Sequence, residues 1–299
     1  MIKDSKEEGE TLSLPDGRNL GYLIVGEGKP VFYFHGLPGS RLDVLLKREI
    51  SSKNLQVIGV DRPGFGLSTF APKRRPWEFA ADVSFLAEHL GIEKFALLGI
   101  SGGVHYVITC AALLADRVTR AVVISGPSLP IDTSEMSQMN KLLFKLGTMP
   151  IVGPWLQKKQ RDTVFKIAKD PDSFFKSDRG RKLMETYPEA DAKVLATPSE
   201  GRDVFFRSVV EAFRQGDNAI RALIQELELA KKGWDVDLSQ IPSGLVHIWH
   251  GTADRTVPVS NAYRNAEVIP GAHLEIFENE GHLSLIYNNF EKLVRTLAS

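Results

Sequence analysis

One cysteine, Cys110, is all the thiol chemistry this chain of 299 residues has. That excludes an internal disulfide and any cysteine-rich metal site. Its setting, the apolar run YVITCAALLA, makes it a buried structural thiol rather than a reactive one. An excess of either charge is also lacking, with 37 Lys and Arg against 37 Asp and Glu, so no global field draws nucleic acid or an anionic membrane. Long hydrophobic runs are missing; YVITCAALLA has about half the length that spans a bilayer. The amino end, MIKDSKEEGE, is charged and has no apolar signal region, so the expectation is a cytoplasmic protein without membrane insertion. The seven histidines are scattered without metal-ligand spacing, and no phosphate-binding or dinucleotide loop is present. No metal and no cofactor is expected. The one dense basic run, Lys73-Arg74-Arg75, lies between two prolines and reads as a solvated loop.

What is present is an ordinary apolar content, 43% of residues, enough for one large domain or one domain with an insertion. Thr11–Leu14 and Leu20–Val25 are short β-like runs joined by a Pro-Asp-Gly turn, a hairpin for a sheet edge. Val31–Phe34, Gln56–Val60, Phe95–Leu98 and Ala121–Ser125 are solid apolar runs, as strands buried on both faces require. Helical patterns separate them, over Leu42–Ser52, from Pro76 with Phe79, Val83, Leu86 and Leu90 on one face, and after residue 101. This alternation predicts an α/β fold with a mostly parallel sheet. From about Leu129 to Trp234 only helical patterns occur, punctuated by prolines, before strands resume at Leu245–His250 and His273–Phe277. The expected organisation is a core in two parts, 1–128 and 237–299, with a helical cap at 129–236.

The stretch FALLGISGGVHYVITC, Phe95 to Cys110, runs from strand through Gly99-Ile100-Ser101-Gly102-Gly103 into helix. A serine between two glycines on so tight a turn fits a nucleophile elbow. Side chains at Gly99 and Gly103 would collide with neighbouring segments, and the helix beginning at Gly102 points free N–H groups at the serine.

A serine hydroxyl needs a base, and the base needs a group to orient it. His282 stands in the loop between the last strand and the last helix, and Asp254 follows the preceding strand. Both belong to the sheet edge where open α/β folds gather ligands. The order Ser101, Asp254, His282 suits this arrangement. Asp132, after an earlier strand, stands as an alternative acid. Asp61 reads as a brace for its own loop. His89, His247 and His273 are core or surface histidines, and His250 shapes a loop.

With these residues in hand, the chain resembles the α/β-hydrolase fold superfamily, esterase-like serine hydrolases with a helical cap. The resemblance rests on HGLPGS at 35–40, DRPGFGLS at 61–68, GISGG at 99–103, HGTADRTVP at 250–258 and EGH at 280–282. Serine at 101, where an aspartate would imply a dehalogenase or epoxide hydrolase, argues against both. The resemblance, with the loop geometry, implies an oxyanion hole made by the backbone N–H groups of Leu37 and Gly102. His35 and Gly36 beside that loop, His105 on the helix after Ser101, and Met136, Met139, Leu143 and Phe144 of the cap, together with Met149 and Trp155, are the expected substrate contacts.

The implied activity is hydrolysis of carboxylic esters of small to medium apolar acids through an acyl-serine intermediate, with a small-molecule ester as the partner. Two other classes stand beside it. One is a hydrolase-like receptor for a small molecule. The other is a different reaction on the same triad: carbon–carbon bond hydrolysis, amidase or aminopeptidase work, or perhydrolysis. Oligomeric state is not legible.

Overall fold

The computed structural model describes residues 8–47 and 54–298. Eight strands form one sheet: β1 (Glu10–Ser13), β2 (Asn19–Val25), β3 (Lys29–Phe34), β4 (Leu55–Val60), β5 (Phe95–Ile100), β6 (Val118–Ile124), β7 (Val246–Gly251) and β8 (His273–Phe277). Their spatial order is β1-β2-β4-β3-β5-β6-β7-β8. The β1–β2 hairpin is antiparallel at one edge and β2 pairs antiparallel with β4, whereas every pairing from β4 through β8 is parallel.

Alternation along β3 explains why the sheet needs cover on both faces. Phe32 and Phe34 join one cluster, with Phe79 of α1 (Pro76–His89) and Tyr106 of α2 (Val104–Leu113). Val31 and Tyr33 join the other, with Leu98, Trp249 and, from α12 (Phe290–Ala298), Leu293 and Leu297. The first cluster is fixed by edge-to-face rings, Phe32 on Phe95 at 4.8 Å and Phe79 on Tyr106 at 5.0 Å. Each fully buried ring contributes about 1.5–3 kcal/mol through burial alone.

The helix expected over Leu42–Ser52 is, where described, a 3₁₀ segment over Arg41–Lys47; residues 48–53 lie outside the described residues. Between β6 and β7 stand α3 (Gln138–Gly147), α4 (Val152–Lys169), α5 (Pro171–Lys176), α6 (Asp178–Met184), α7 (Glu189–Ala196), α8 (Glu200–Ala212) and α9 (Asp217–Leu229). Prolines mark their starts, Pro171 at the first turn of α5 and Pro188 at the N-cap of α7. Ser199 caps α8 by accepting from Arg202 N. Apolar faces of α8 and α9 close over Phe65, a fully buried core residue among Val209, Ala212, Phe213, Ile220 and Leu223. The last two helices are α11 (Ser284–Asn288) and α12, and α10 (Ser260–Val268) precedes β8. Among the described residues no helix is long and apolar enough to cross a membrane.

Candidate active site

The strands from β3 to β8 run parallel, so their carboxyl ends all gather at one side of the sheet. Ile100 closes β5 in extended conformation, and Ser101 then takes φ +52°, the left-handed region. For a residue with a Cβ this costs about 1–2 kcal/mol. The turn is tight enough to demand the neighbouring glycines. A Cβ on Gly103 would stand 2.1 Å from the Phe34 carbonyl oxygen, and one on Gly99 would stand 2.5 Å from Val107 Cγ2. The helix does not begin at Gly102, as the sequence suggests. A 3₁₀ turn, Ser101–Gly103, comes first and α2 starts at Val104; the chain leaves the left-handed Ser101 through the tighter turn common at helix N-termini.

His282 and Asp254 meet across two loops: Nδ1 of the imidazole lies 2.7 Å from Oδ2 of the carboxylate. The other carboxylate oxygen accepts from the backbone N–H groups of Thr256 at 2.8 Å and Val257 at 2.9 Å, so the acid cannot swing away. Burial by itself would raise the Asp254 pKa. The charge of His282 and hydrogen bonds from His250 and His282 reverse this and hold the carboxyl well below the usual carboxylate range. Burial pushes the His282 pKa down, but the charge and hydrogen bond of Asp254, with the charge of Asp191, leave it above its ordinary value. With Nδ1 engaged, Nε2 is the free basic atom. Asp132, the alternative acid, is committed elsewhere, to Arg264 at 2.9 Å and Ser134 N at 2.8 Å.

Ser101 and His282 line one cavity of about 310 Å³, beneath the cap. Among the described residues the hydroxyl of Ser101 makes no hydrogen bond to the imidazole, and in unliganded sites such contacts are commonly long. Gly36 and Leu37 line the same cavity, and Gly36 approaches Ser101 so closely that a Cβ there would be 3.6 Å from the Ser101 Cβ. A Cβ on Gly102 would be 3.1 Å from that of Leu37, so the two residues expected to supply the oxyanion hole are neighbours.

Several expected substrate contacts are not in this cavity. His35 is buried behind the loop, with Nδ1 on Gly36 O at 2.8 Å and Nε2 accepting from Arg62 N at 3.1 Å. Burial and the nearby Arg62 charge keep it neutral, well below its ordinary pKa. His105 faces Trp234 instead, ring centroids 6.2 Å apart, and burial takes its pKa down to about 3. Among the described residues neither of its ring nitrogens has a hydrogen-bond partner. Met136 is buried in the turn before α3, while Met139 on α3 is 62% exposed. Leu143 and Phe144 are half-buried on the same helix, which packs on α4 and α9, with Lys231 over the Phe144 ring. Met149 and Trp155 are exposed. The apolar stripe of α3 thus serves the cap itself. The cavity wall comes from later cap helices, through Ile167, Phe175, Leu195, Phe205 and Val209, and from Ile286 and Tyr287 of α11.

Sequence reasoning found one polar brace, Asp61, and missed the one beside it. Asp61 does fasten its loop, accepting from Arg41 N at 2.6 Å, Arg41 Nη1 at 2.7 Å and Leu67 N at 2.8 Å. Its neighbour Arg62 donates to Gly36 O at 2.8 Å and pairs with Glu226 of α9. The one available signal was an arginine inside the DRPGFGLS motif; nothing in α9 singled out Glu226. Among the described residues no three His, Cys, Asp or Glu side chains gather into a metal site.

Known proteins share the fold that carries these residues. The family model described as the alpha/beta hydrolase fold matches residues 29–153. The chain is 23% identical to the AB hydrolase superfamily protein YisY of Bacillus subtilis, over 92% of each chain. An alpha/beta hydrolase fold protein from Nakamurella multipartita superposes with a TM-score of 0.72 at 21% identity, covering 97% of this chain and 98% of that one. The esterase EaEST from Exiguobacterium antarcticum does so with a TM-score of 0.64, also at 21% identity and with the same coverage.

Proposed function

We propose that this chain, a protein of the α/β-hydrolase fold, is a serine hydrolase cleaving carboxylic esters of small to medium apolar acids. One observation carries the reading: an imidazole held by a buried carboxylate at 2.7 Å lines the same apolar cavity as a serine in a left-handed turn.

In the proposed reaction Ser101 Oγ attacks the ester carbonyl carbon while His282 Nε2 takes the hydroxyl proton. The carbonyl electron pair moves onto oxygen, beside the N–H groups of Leu37 and Gly102, where losing one such donor costs about 3–4 kcal/mol in related sites. Collapse of this intermediate expels the alcohol, which leaves with the proton from His282. Water, deprotonated by the same nitrogen, then attacks the acyl carbon; the acyl–Oγ bond breaks, the acid leaves, and Ser101 Oγ takes back the proton from His282. Asp254 fixes the tautomer and stabilises the imidazolium. The scheme assigns no role to a metal or organic cofactor.

The disposition of cap carboxylates favours an acyl group over the free amine of a peptide. Glu211 pairs with Arg41, Glu226 with Arg62, and Asp191 with backbone N–H groups; Glu185 and Glu189 are exposed. The cap wall of the cavity is aliphatic and aromatic instead. A panel of p-nitrophenyl esters of increasing acyl length, run beside Ser101→Ala, tests the assignment. Turnover that peaks at short to medium chains and vanishes in the variant is expected; equal turnover by the variant refutes it.

A further inference from the structure

Asp191 lies on α7, in the cap, yet its carboxylate reaches the loop that carries the proposed base. Oδ2 accepts from His282 N at 2.8 Å, and Oδ1 accepts from Leu283 N and Ser284 N, both at 2.9 Å. The side chain is buried to within 1% of full cover. The approach depends on Gly281, where a Cβ would fall 2.4 Å from the carboxylate carbon and both oxygens. Three hydrogen bonds to consecutive amides leave the backbone of His282 little freedom. Tyr187 and Leu195, flanking Asp191 on the cap, line the acyl cavity, as does Leu283.

We propose that Asp191 is a positioning residue: from the cap, it sets the place of the His282 imidazole, so that cavity wall and catalytic base form one unit. The inference rests on the ester-hydrolase reading of the same site. Its charge also favours imidazolium, in the same direction as Asp254. The other titratable groups around this ring and carboxylate are His250 beside Asp254, Tyr187 beside Asp191, and Glu280, which accepts from Ser284 Oγ at 2.6 Å. Tyr187 and Glu280 bear no positive charge, and His250 stands beside Asp254, not Asp191.

The test is Asp191→Asn in the full chain. NMR titration of the His282 imidazole, assigned with His282→Gln, is expected to show a lowered midpoint, since the variant removes a charge that favours imidazolium. In the ester assay kcat is expected to fall on the order of tenfold, with KM changed by less than about twofold. Gly281→Ala displaces the carboxylate without removing its charge, lowers kcat likewise, and serves where Asp191→Asn does not fold. An unmoved midpoint with unaltered kcat, or a loss of thermal stability alone, overturns the proposal. The titration needs no turnover. A shifted midpoint in a protein inert toward all the esters would keep the positioning role and sink the esterase reading; an unshifted midpoint in an active enzyme would do the reverse.

Discussion

Arg62 and Glu226 form an ion pair with both side chains withdrawn from solvent, one from the loop after β4 and the other from cap helix α9. The second carboxylate oxygen accepts from the Tyr106 hydroxyl, and the guanidinium also reaches Gly36 O, beside the proposed oxyanion donors. Ser208 of α8 bonds Ser40 N at 2.9 Å, and Glu211 bonds Arg41 at 2.8 Å. These buried polar contacts tie the helices between β6 and β7 to the core, and each must be broken to part the two.

Removing one partner of such a pair leaves a buried, uncompensated charge. Glu226→Ala is expected to destabilise the fold by about 3–5 kcal/mol, read from urea midpoints. The double variant Arg62→Met, Glu226→Leu should cost clearly less than the sum of the single changes. Additive losses would show that the two residues act independently.

Ser101 occupies a backbone conformation that glycine adopts freely. Ser101→Gly is expected to abolish ester hydrolysis and to raise stability by roughly 1 kcal/mol. Calorimetry decides this, and a lower melting temperature would argue against strain at the elbow.

Gly102 and Gly103 make a contrast on adjacent positions. At Gly103 an added methyl meets backbone at 2.1 Å, which cannot move aside, whereas at Gly102 it meets the Leu37 side chain at 3.1 Å. Gly103→Ala should therefore lose several kcal/mol, of order ~3 or more, or fail to fold. Gly102→Ala should fold and lose activity through displacement of Leu37. Circular dichroism melts on both variants separate these outcomes.

The His282 pKa lies above its ordinary 6.5 because Asp254 and Asp191 favour the imidazolium. Imidazolium cannot accept the serine proton, so kcat/KM is expected to rise with pH through a midpoint above 6.5. Asp254→Asn should lower kcat by about 10⁴. A rate that is flat across this range, in a protein that stays folded, speaks against His282 as the base.

Val209 faces the cavity from α8, whereas Met139 faces solvent. Val209→Phe should depress kcat/KM for the longer acyl esters by on the order of tenfold or more, sparing acetyl esters. Met139→Ala should change neither. The ester series that defines chain-length preference measures both, and the opposite ranking would relocate the acyl pocket to α3.

The sequence by itself determined the strand and helix alternation, the edge hairpin, the long helical insertion and the tight turn at Ser101. Each is a local pattern: apolar runs of strand length, prolines, and glycines around one serine. It also put Asp254 and His282 on loops at one edge of the sheet, because a parallel sheet delivers all its strand ends to the same side. The tertiary structure alone decided which apolar cap residues meet the cavity. Amphipathic spacing tells that a helix has a buried face but not what lies opposite it, so Leu143 and Phe144 of α3 were indistinguishable from the true wall on α4 to α8. It alone decided the polar ties too. Asp191 and Glu226 are two acids among many in the cap, and their roles exist only where folding brings a backbone amide or a buried arginine to each of them.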